Sequence, residues 1–467
     1  MIISFSANMK IDHSILKSAI FKMILVAMFY FLPEILLGQE TLSLEDCLRL
    51  ALQNSRQMKI SDMSIQQAGE KIGEARAQRI PSFTLAGTYT HFGKVSSFSI
   101  PMGTAIRTFQ FGIPDRANLD AKLQWSLFTW GRIGSSISIS HLGKDLSVTK
   151  RRSDLTQTIY QVLQAFYSVL LNEKIIQLHS ENLQRAESLW QITQKRFAAG
   201  GIPRLEVLRA EVQVKNSEST LEEARGNLKK SQLFLAKHLG NPQFIYQLAG
   251  ELQYVPVPLV IDEIIQKALN VRSDFQTLEL QQDISRQQVK LAYSSNKPNL
   301  SLFSGYNVQN GFDPTNPESF ISNWNVGLQL SFPLFDGFAT VHKTNQAKIE
   351  SQKTTLQKEE LQDLVTLQIQ QAVTTMEQAA LKIISQEENI ELAEEALQVT
   401  TNQFQQGMVS SLDVLNAQQT LAQSEMMYTQ ALFNHIMARI EISRAMEDFS
   451  WFAPDLQPAV GSKEQIK

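Results

Sequence analysis

The chain has 467 residues, 43% of them hydrophobic and 19% charged, a balance that fits a folded protein with enough apolar side chains for a sizeable core. Its 43 basic and 46 acidic residues, formal charge -3, exclude the basic excess that phosphate neutralisation needs, so nucleic acid is not an expected partner. A single cysteine, Cys47, excludes an intrachain disulfide and a thiolate metal cluster.

At the N-terminus Lys10, Lys17 and Lys22 precede an apolar run from Met23 to Leu32, followed by Pro33 and a candidate cleavage site near Gly38. This is the layout of a secretory signal, expected over residues 1–38, although Leu36 fits the small-x-small cleavage rule poorly. The run is about half the ~20 residues that a spanning helix needs, and no later segment is apolar over that length, which argues against a bundle of membrane helices. Cys47, in "SLEDC", lies too far past the run to accept a lipid and reads as a small apolar residue on an amphipathic helix.

The rest of the chain is written twice. Ala51, Ala75, Pro81, Leu85 and Tyr89 stand 217 residues before Ala268, Ala292, Pro298, Leu302 and Tyr306. Phe128 and Phe197 stand 207 residues before Phe335 and Phe404. The first repeat, expected over residues 39–250, therefore carries an insertion between Tyr89 and Leu127 relative to the second, expected over 251–450. An insertion that leaves both flanks in register belongs in a surface loop. Residues 451–467 are expected to form a disordered tail.

Each repeat opens with a helix and continues into two strands. Phe83 to His91 and Leu300 to Val308 mix apolar with small polar residues, and Leu123, Trp125 and Leu127 alternate with Lys122, Gln124 and Ser126. Trp324, Val326, Leu328, Leu330 and Phe332 alternate with Asn325, Gly327, Gln329 and Ser331 in the same way. Length and period suit transmembrane β-strands as well as soluble half-buried hairpins. Four strands cannot close a barrel and lipid tolerates no open edge, so a membrane reading demands several copies; three would give twelve strands and leave a lumen. The connections Phe92–Asn118 and Gln309–Asn323 are expected to face the cell exterior.

Long helices follow the strands. No proline occurs between Pro114 and Pro203 or between Pro333 and Pro454. Gly337 and Gly407 bracket about 70 residues without glycine or proline, roughly 105 Å if helical. Leu361, Val365, Ile369, Ala372, Met376, Ala379 and Ile383 form a narrow seam there, as Leu155, Ile159, Val162, Phe166 and Val169 do in the first repeat. Gly131 and Gly337 are expected to turn the chain from strand to helix, and Gly200 and Gly407 to end the long helices. Pro203 suits the first turn of a return helix, and its equivalent Ser410 opens a capping-box-like "SSLD" with Asp413.

Catalysis has little support. The histidines are scattered, "GRIGSS" at Gly131 lacks the Lys-Ser/Thr ending of a phosphate loop, and acidic pairs such as Glu359 and Glu360 diverge around a helix. No cofactor or resident metal is expected.

The twice-occurring F-x-x-G-x-x-x-x-L-[DE]-V-L-x-A, at Phe197 to Ala210 and Phe404 to Ala417, and the openings "LFTWGRI" and "LFDGFAT" resemble the TolC family of outer-membrane efflux proteins, from about Thr41 to Phe449. The resemblance implies an α plus transmembrane-β fold, a duplicated repeat with four strands and long coiled-coil helices per chain. It further implies a homotrimer forming a twelve-stranded barrel in outer-membrane lipid on a periplasmic helical tunnel. It implies partners too: a periplasmic adaptor and an inner-membrane transporter of an efflux or type I secretion machine, met at the helical tips. Val409 and Asn416 depart from members that carry charge there. Within a threefold assembly Asp413 is expected to form a ring of carboxylates near the axis, with Glu206 in an outer ring; the plainer role of Asp413 is a helix cap worth about 0.3–1 kcal/mol. The competing function is an exported coiled-coil scaffold or adaptor without a pore, which would ordinarily carry one helical hairpin rather than two in register.

Overall fold

The structure, a computed structural model, describes residues 41–110, 112–241, 247–313, 316 and 318–454. The expected secretory signal (1–38) lies outside the described residues.

Eight helices and eight strands are laid out as two similar halves among the described residues. The first half runs β1 (Thr41–Leu42), α1 (Leu44–Asn54), α2 (Arg56–Ala77), β2 (Ser82–His91), β3 (Ser97–Met102), β4 (Ala105–Gln110), β5 (Asp115–Phe128), α3 (Arg132–Ala198) and α4 (Arg204–His238). The second runs β6 (Gln247–Leu248), α5 (Ile261–Val271), α6 (Ser273–Tyr293), β7 (Asn299–Gln309), β8 (Ile321–Ser331), α7 (Ala339–Gln406) and α8 (Ser411–Ala445).

The two proline-free stretches are single helices of 67 and 68 residues, each about 100 Å long. Seam residues Ile159, Val162, Phe166 and Val169 of α3, and Val365, Ile369, Met376, Ala379 and Ile383 of α7, are buried. Neither helix has a broad apolar face, because each packs along a narrow stripe and leaves the remainder wet.

Two core clusters sit where the short helices dock on the long ones. One joins Cys47, Leu48 and Ala51 of α1 to Val162, Leu163, Phe166 and Val169 of α3, with Leu235, Ile436 and Ile440. The other joins Ile264 and Ala268 of α5 to Val365, Ile369 and Val373 of α7, with Ile442 and Met446. Cys47 fills the place that Ile264 fills in the second half, and burial pushes its thiol up to about 12, so it serves as a small apolar core residue.

Four of the strands form an antiparallel sheet in the order β2-β5-β7-β8, with β2 and β8 at its edges, while β1 and β6 pair in parallel apart from it. The two halves meet at β5 and β7, where Leu123 faces Ser304 and Ala121 faces Tyr306.

Four expectations need correction. The insertion in the first half is a hairpin rather than a plain loop: β3 and β4 pair antiparallel across Gly103, at φ +66°. Its flank Asp115–Asn118 belongs to β5, since the alternation continues through Ala117 and Leu119, and the connection expected over Gln309–Asn323 likewise gives up Gln309 to β7 and Ile321–Asn323 to β8. Pro203 stands at the cap before α4 rather than in its first turn. Finally, Phe452 and Ala453, assigned to a disordered tail, pack on the first core cluster and Trp451 on the second. The Arg439 guanidinium lies 5.0 Å from the Phe452 ring, because those aromatic residues cover apolar surface that would otherwise be wet. The tail from residue 455 onward lies outside the described residues.

Candidate functional site

The strand register sorts the sheet into two chemically distinct faces. On one lie Phe83, Leu85 and Tyr89 of β2, Leu119, Leu123 and Trp125 of β5, Leu302, Tyr306 and Val308 of β7, and Trp324, Val326, Leu328 and Leu330 of β8. On the other lie Thr84 and Thr88, Asn118, Asp120, Lys122 and Gln124, Asn307 and Gln309, and Asn323, Asn325 and Gln329. Asn118, Asp120 and Asn307 hydrogen-bond one another across this polar face, Asn307 Nδ2 donating to Asp120 Oδ1 at 2.8 Å.

Among the described residues no element covers the apolar face. Trp324 is 70% exposed, and Phe83, Leu85, Val326, Leu328 and Leu330 are exposed as well. A soluble half-buried sheet would place this face against a core, and neither of the two main core clusters includes a residue of it. Phe303 is the one aromatic side chain that the register puts on the polar face, and its ring occupies the space above Gly327, where a Cβ would meet it at 2.7 Å.

At the strand-to-helix turns, Gly131 (φ +80°) precedes α3 and Gly337 (φ +62°) precedes α7. Trp130 and Phe338 share this left-handed conformation without being glycine, a strained arrangement that sequence reasoning did not anticipate. Asp336 Oδ2 accepts from the Thr340 amide at 3.0 Å and satisfies one orphan donor of the following helix.

The opposite ends of the long helices form two tips. Gly200 and Gly407 take φ +75° and +84°, and the amides after each helix turn back onto its last carbonyls, Gly201 to Arg196 at 2.9 Å and Met408 to Gln403 at 2.9 Å. In the second tip Ser410 caps α8, and its amide and hydroxyl both donate to Asp413 Oδ2, at 2.9 and 2.7 Å. Hydrogen bonds from the Ser410 side chain and backbone hold the Asp413 carboxyl below its ordinary range. Asn416, one turn on, is exposed, while Val409 packs beside Leu189, Phe404 and Val414.

Glu206 does not point to open solvent. Its Oε2 accepts from the Ser411 amide at 3.0 Å and from the Ser411 hydroxyl, and its Oε1 takes Arg209 at 3.2 Å. One tip thus donates a carboxylate to the first turn of the other tip's return helix, where the macrodipole favours negative charge. Arg196 works in the same direction: it donates to the Phe404 carbonyl and lies 4.8 Å over the Phe404 ring. Neither Arg196 nor Ser411 was legible as a bridging residue, since their partners are 208 and 205 positions away. Among the described residues no group of three or more His, Cys, Asp or Glu converges in a way that could hold a metal ion.

A family model described as outer membrane efflux protein matches twice, at residues 47–241 and 264–446. Nodulation protein T of Rhizobium leguminosarum bv. trifolii is 21% identical over 411 residues, covering 86% of this chain and 83% of that protein. Outer membrane protein TolC of Escherichia coli is 21% identical over 396 residues, covering 81% of this chain and 77% of that protein. The CmeC outer membrane channel of Campylobacter jejuni shares the fold with a TM-score of 0.73 at 15% identity, over 86% of this chain and 85% of that one. The outer membrane protein VceC of Vibrio cholerae gives 0.70 at 18%, over 87% and 96%.

Proposed function

The chain belongs to the outer membrane efflux protein family, and from that premise we propose that three copies assemble into a passive exit duct that crosses the outer membrane and continues through the periplasm. The observation that carries this reading is the uncovered apolar face of a four-stranded sheet with two open edges, β2 and β8. Lipid is the solvent such a face fits, and lipid forbids unpaired strand edges. Edge β8 of one copy must therefore meet edge β2 of the next. Two copies would give eight strands, whose interior fills with side chains; three give twelve and an open lumen lined by the polar face.

Below the barrel, α3, α4, α7 and α8 of each copy build a wall that is wet on both sides, as their narrow buried seams require. The tips around Gly200, Pro203, Gly407 and Ser410 form the periplasmic end, where the duct narrows and where a periplasmic adaptor and an inner-membrane transporter dock. Glu206, Val409, Asp413 and Asn416 belong to this constriction. Passage is driven elsewhere in such a machine, so this chain supplies path and closure, not chemistry. Repeats spanning 39–250 and 251–450 supply half a wall segment each.

Purified full-length protein in a planar bilayer should give discrete ion-conductance steps, and its mass in detergent should be three times that of the chain. A stable monomer, or a trimer that never conducts, would overturn the duct and favour a scaffold that bridges envelope layers without a pore.

A further inference from the structure

We infer that a belt of cations beneath the sheet, Arg76, Arg79 and Arg132 in the first repeat and Lys290, Lys297 and Lys343 in the second, binds the headgroup phosphates of anionic phospholipids in the periplasmic leaflet of the outer membrane. This deepens the proposed function, since it rests on the apolar face of the sheet lying in lipid.

The belt is visible first as a segregation of charge. Over the whole chain acids outnumber bases, 46 to 43. Yet no Asp or Glu occurs between Glu74 and Asp115, between Asp120 and Asp145 or between Asp283 and Asp313, and between Glu318 and Glu350 there is only Asp336. These stretches hold the strand ends nearest the helices and the segments that join them to α2, α3, α6 and α7. Asp336 is already engaged with the Thr340 amide. At the opposite end of the sheet the signs are mixed, with Asp115, Asp313 and Glu318 among Lys94, Arg107 and Arg116.

Among the described residues none of the six cations pairs with a carboxylate. Arg76 Nη2 lies 3.2 Å from His141 Nε2, and the Lys297 ammonium lies 4.3 Å from the centroid of the Tyr293 ring. Arg79, Arg132, Lys290 and Lys343 are exposed. Further along the helices, pairing resumes: Arg286 meets Asp283 at 3.0 Å and Lys353 meets Glu350 at 2.9 Å.

The same level carries apolar side chains with no cover among the described residues. Leu334 is 86% exposed and Phe335 76%, and Trp130, Phe338 and Tyr293 are exposed as well. The Trp125 indole, on the apolar face, donates to the Arg79 carbonyl at 2.8 Å, which ties that cation to the lower edge of the face. Water suits the cations and not the apolar residues; a hydrocarbon interior suits the reverse. The membrane interface satisfies both, with aromatic bodies at the acyl boundary and long cationic side chains reaching the phosphates. Because the cations recur in both repeats they form a band rather than a patch, and a band is complementary to a continuous anionic surface.

Native mass spectrometry of the full-length protein tests this, after exchange into mixed micelles that hold phosphatidylglycerol and phosphatidylethanolamine in equal amounts. Retained lipid should favour phosphatidylglycerol by roughly tenfold. The Arg79→Gln, Lys297→Gln, Lys343→Gln variant should bring that ratio close to one. The Lys195→Gln, Lys229→Gln, Lys382→Gln variant, which removes equal charge from exposed positions on the long and return helices, should keep it. In the parent protein, where no substitution disturbs folding, salt at about 1 M should abolish the preference, because charges are then screened within about 3 Å. An oligomeric, conducting protein whose ratio is near one or indifferent to salt, or equal loss in both triple variants, overturns the belt while the duct stands. Lipopolysaccharide retained in place of phospholipid, and lost from the first variant, overturns it by moving these cations to the outer leaflet. A chain that retains no lipid and stays in solution without detergent overturns the membrane reading itself.

Discussion

The two tips share a backbone and differ in what covers them. Phe404 of the second tip is 1% exposed under Arg196, beside Leu189 and Val414, whereas its equivalent Phe197 is 43% exposed. The motif is the same in both places, so the difference comes from neighbours. The second tip's Phe404 lies under Arg196 of the first repeat, whereas among the described residues nothing comparable covers Phe197. Burial of a repeat motif is thus a property of which neighbour the repeat has, and in the proposed ring the exposed copy is the place for the next chain.

The largest expected effect that would break or sharpen this comparison is at the phenylalanines. In the dissociated chain Phe404→Ala should cost about 3–5 kcal/mol, as truncation of a buried ring does, and Phe197→Ala less than about 1 kcal/mol. Thermal melting in a detergent that separates the copies measures both; equal losses would mean that the two tips are equally packed. In the assembled protein the gap should narrow, as Phe197 acquires a neighbour.

Glycine comes next. Both Gly200 and Gly407 are left-handed, so a valine at either should cost about 1–3 kcal/mol of backbone strain. Only at Gly407 would the new Cβ also press on Arg196, 3.2 Å from its Nη2, whereas nothing lies within 4 Å at Gly200. Gly407→Val should therefore lower the midpoint more than Gly200→Val, and protease should nick the second tip first.

Arg196→Met removes a charge-assisted bond and a ring contact and should cost about 1.5–3 kcal/mol. Its equivalent, Gln403, is exposed, so Gln403→Met should stay within about 0.5 kcal/mol. Chemical denaturation of the pair tests whether the bolt is one-sided.

The smallest effect at neutral pH, and a clear one in acid, concerns His435, which packs edge-on against Tyr254 at 4.9 Å where the first half has Leu228. Burial, with the Arg439 charge adding to it, holds His435 down to about 4. The unfolded chain takes up the proton first, so the stability of the neutral buried ring is full above the ordinary histidine range and is lost as pH falls from about 6.5 towards 4. Melting temperature should fall between pH 7 and pH 5 in the parent and much less in His435→Leu. An unchanged slope would place the acid-sensitive group elsewhere.

Duplication, long helices and paired strands were legible in the residues, because proline gaps, the two constant offsets and period-two alternation are local or periodic signals. The turn glycines and the Ser410 cap were legible for the same reason: each acts on backbone within a few positions. The β3–β4 hairpin was readable only from the Met102-Gly103-Thr104 turn between two alternating stretches, a signal that the Gly, Ser and Pro content of the segment masked. Trp451, Phe452 and Ala453 were assigned to the tail because three residues carry no period, and only the core they cover reveals their role.

By itself, then, the sequence determined the architecture of each repeat, since helix length, strand alternation and helix ends follow from side chains acting on their own stretch of backbone. It also determined that Asp413 would cap α8, a bond between neighbours in the chain. The tertiary structure alone decided that the apolar sheet face lies uncovered, that Glu206 reaches Ser411, and that Arg196 closes over Phe404. Those contacts join residues more than two hundred positions apart, and their energies depend on which identical motif happens to have a neighbour, a fact that no local pattern encodes.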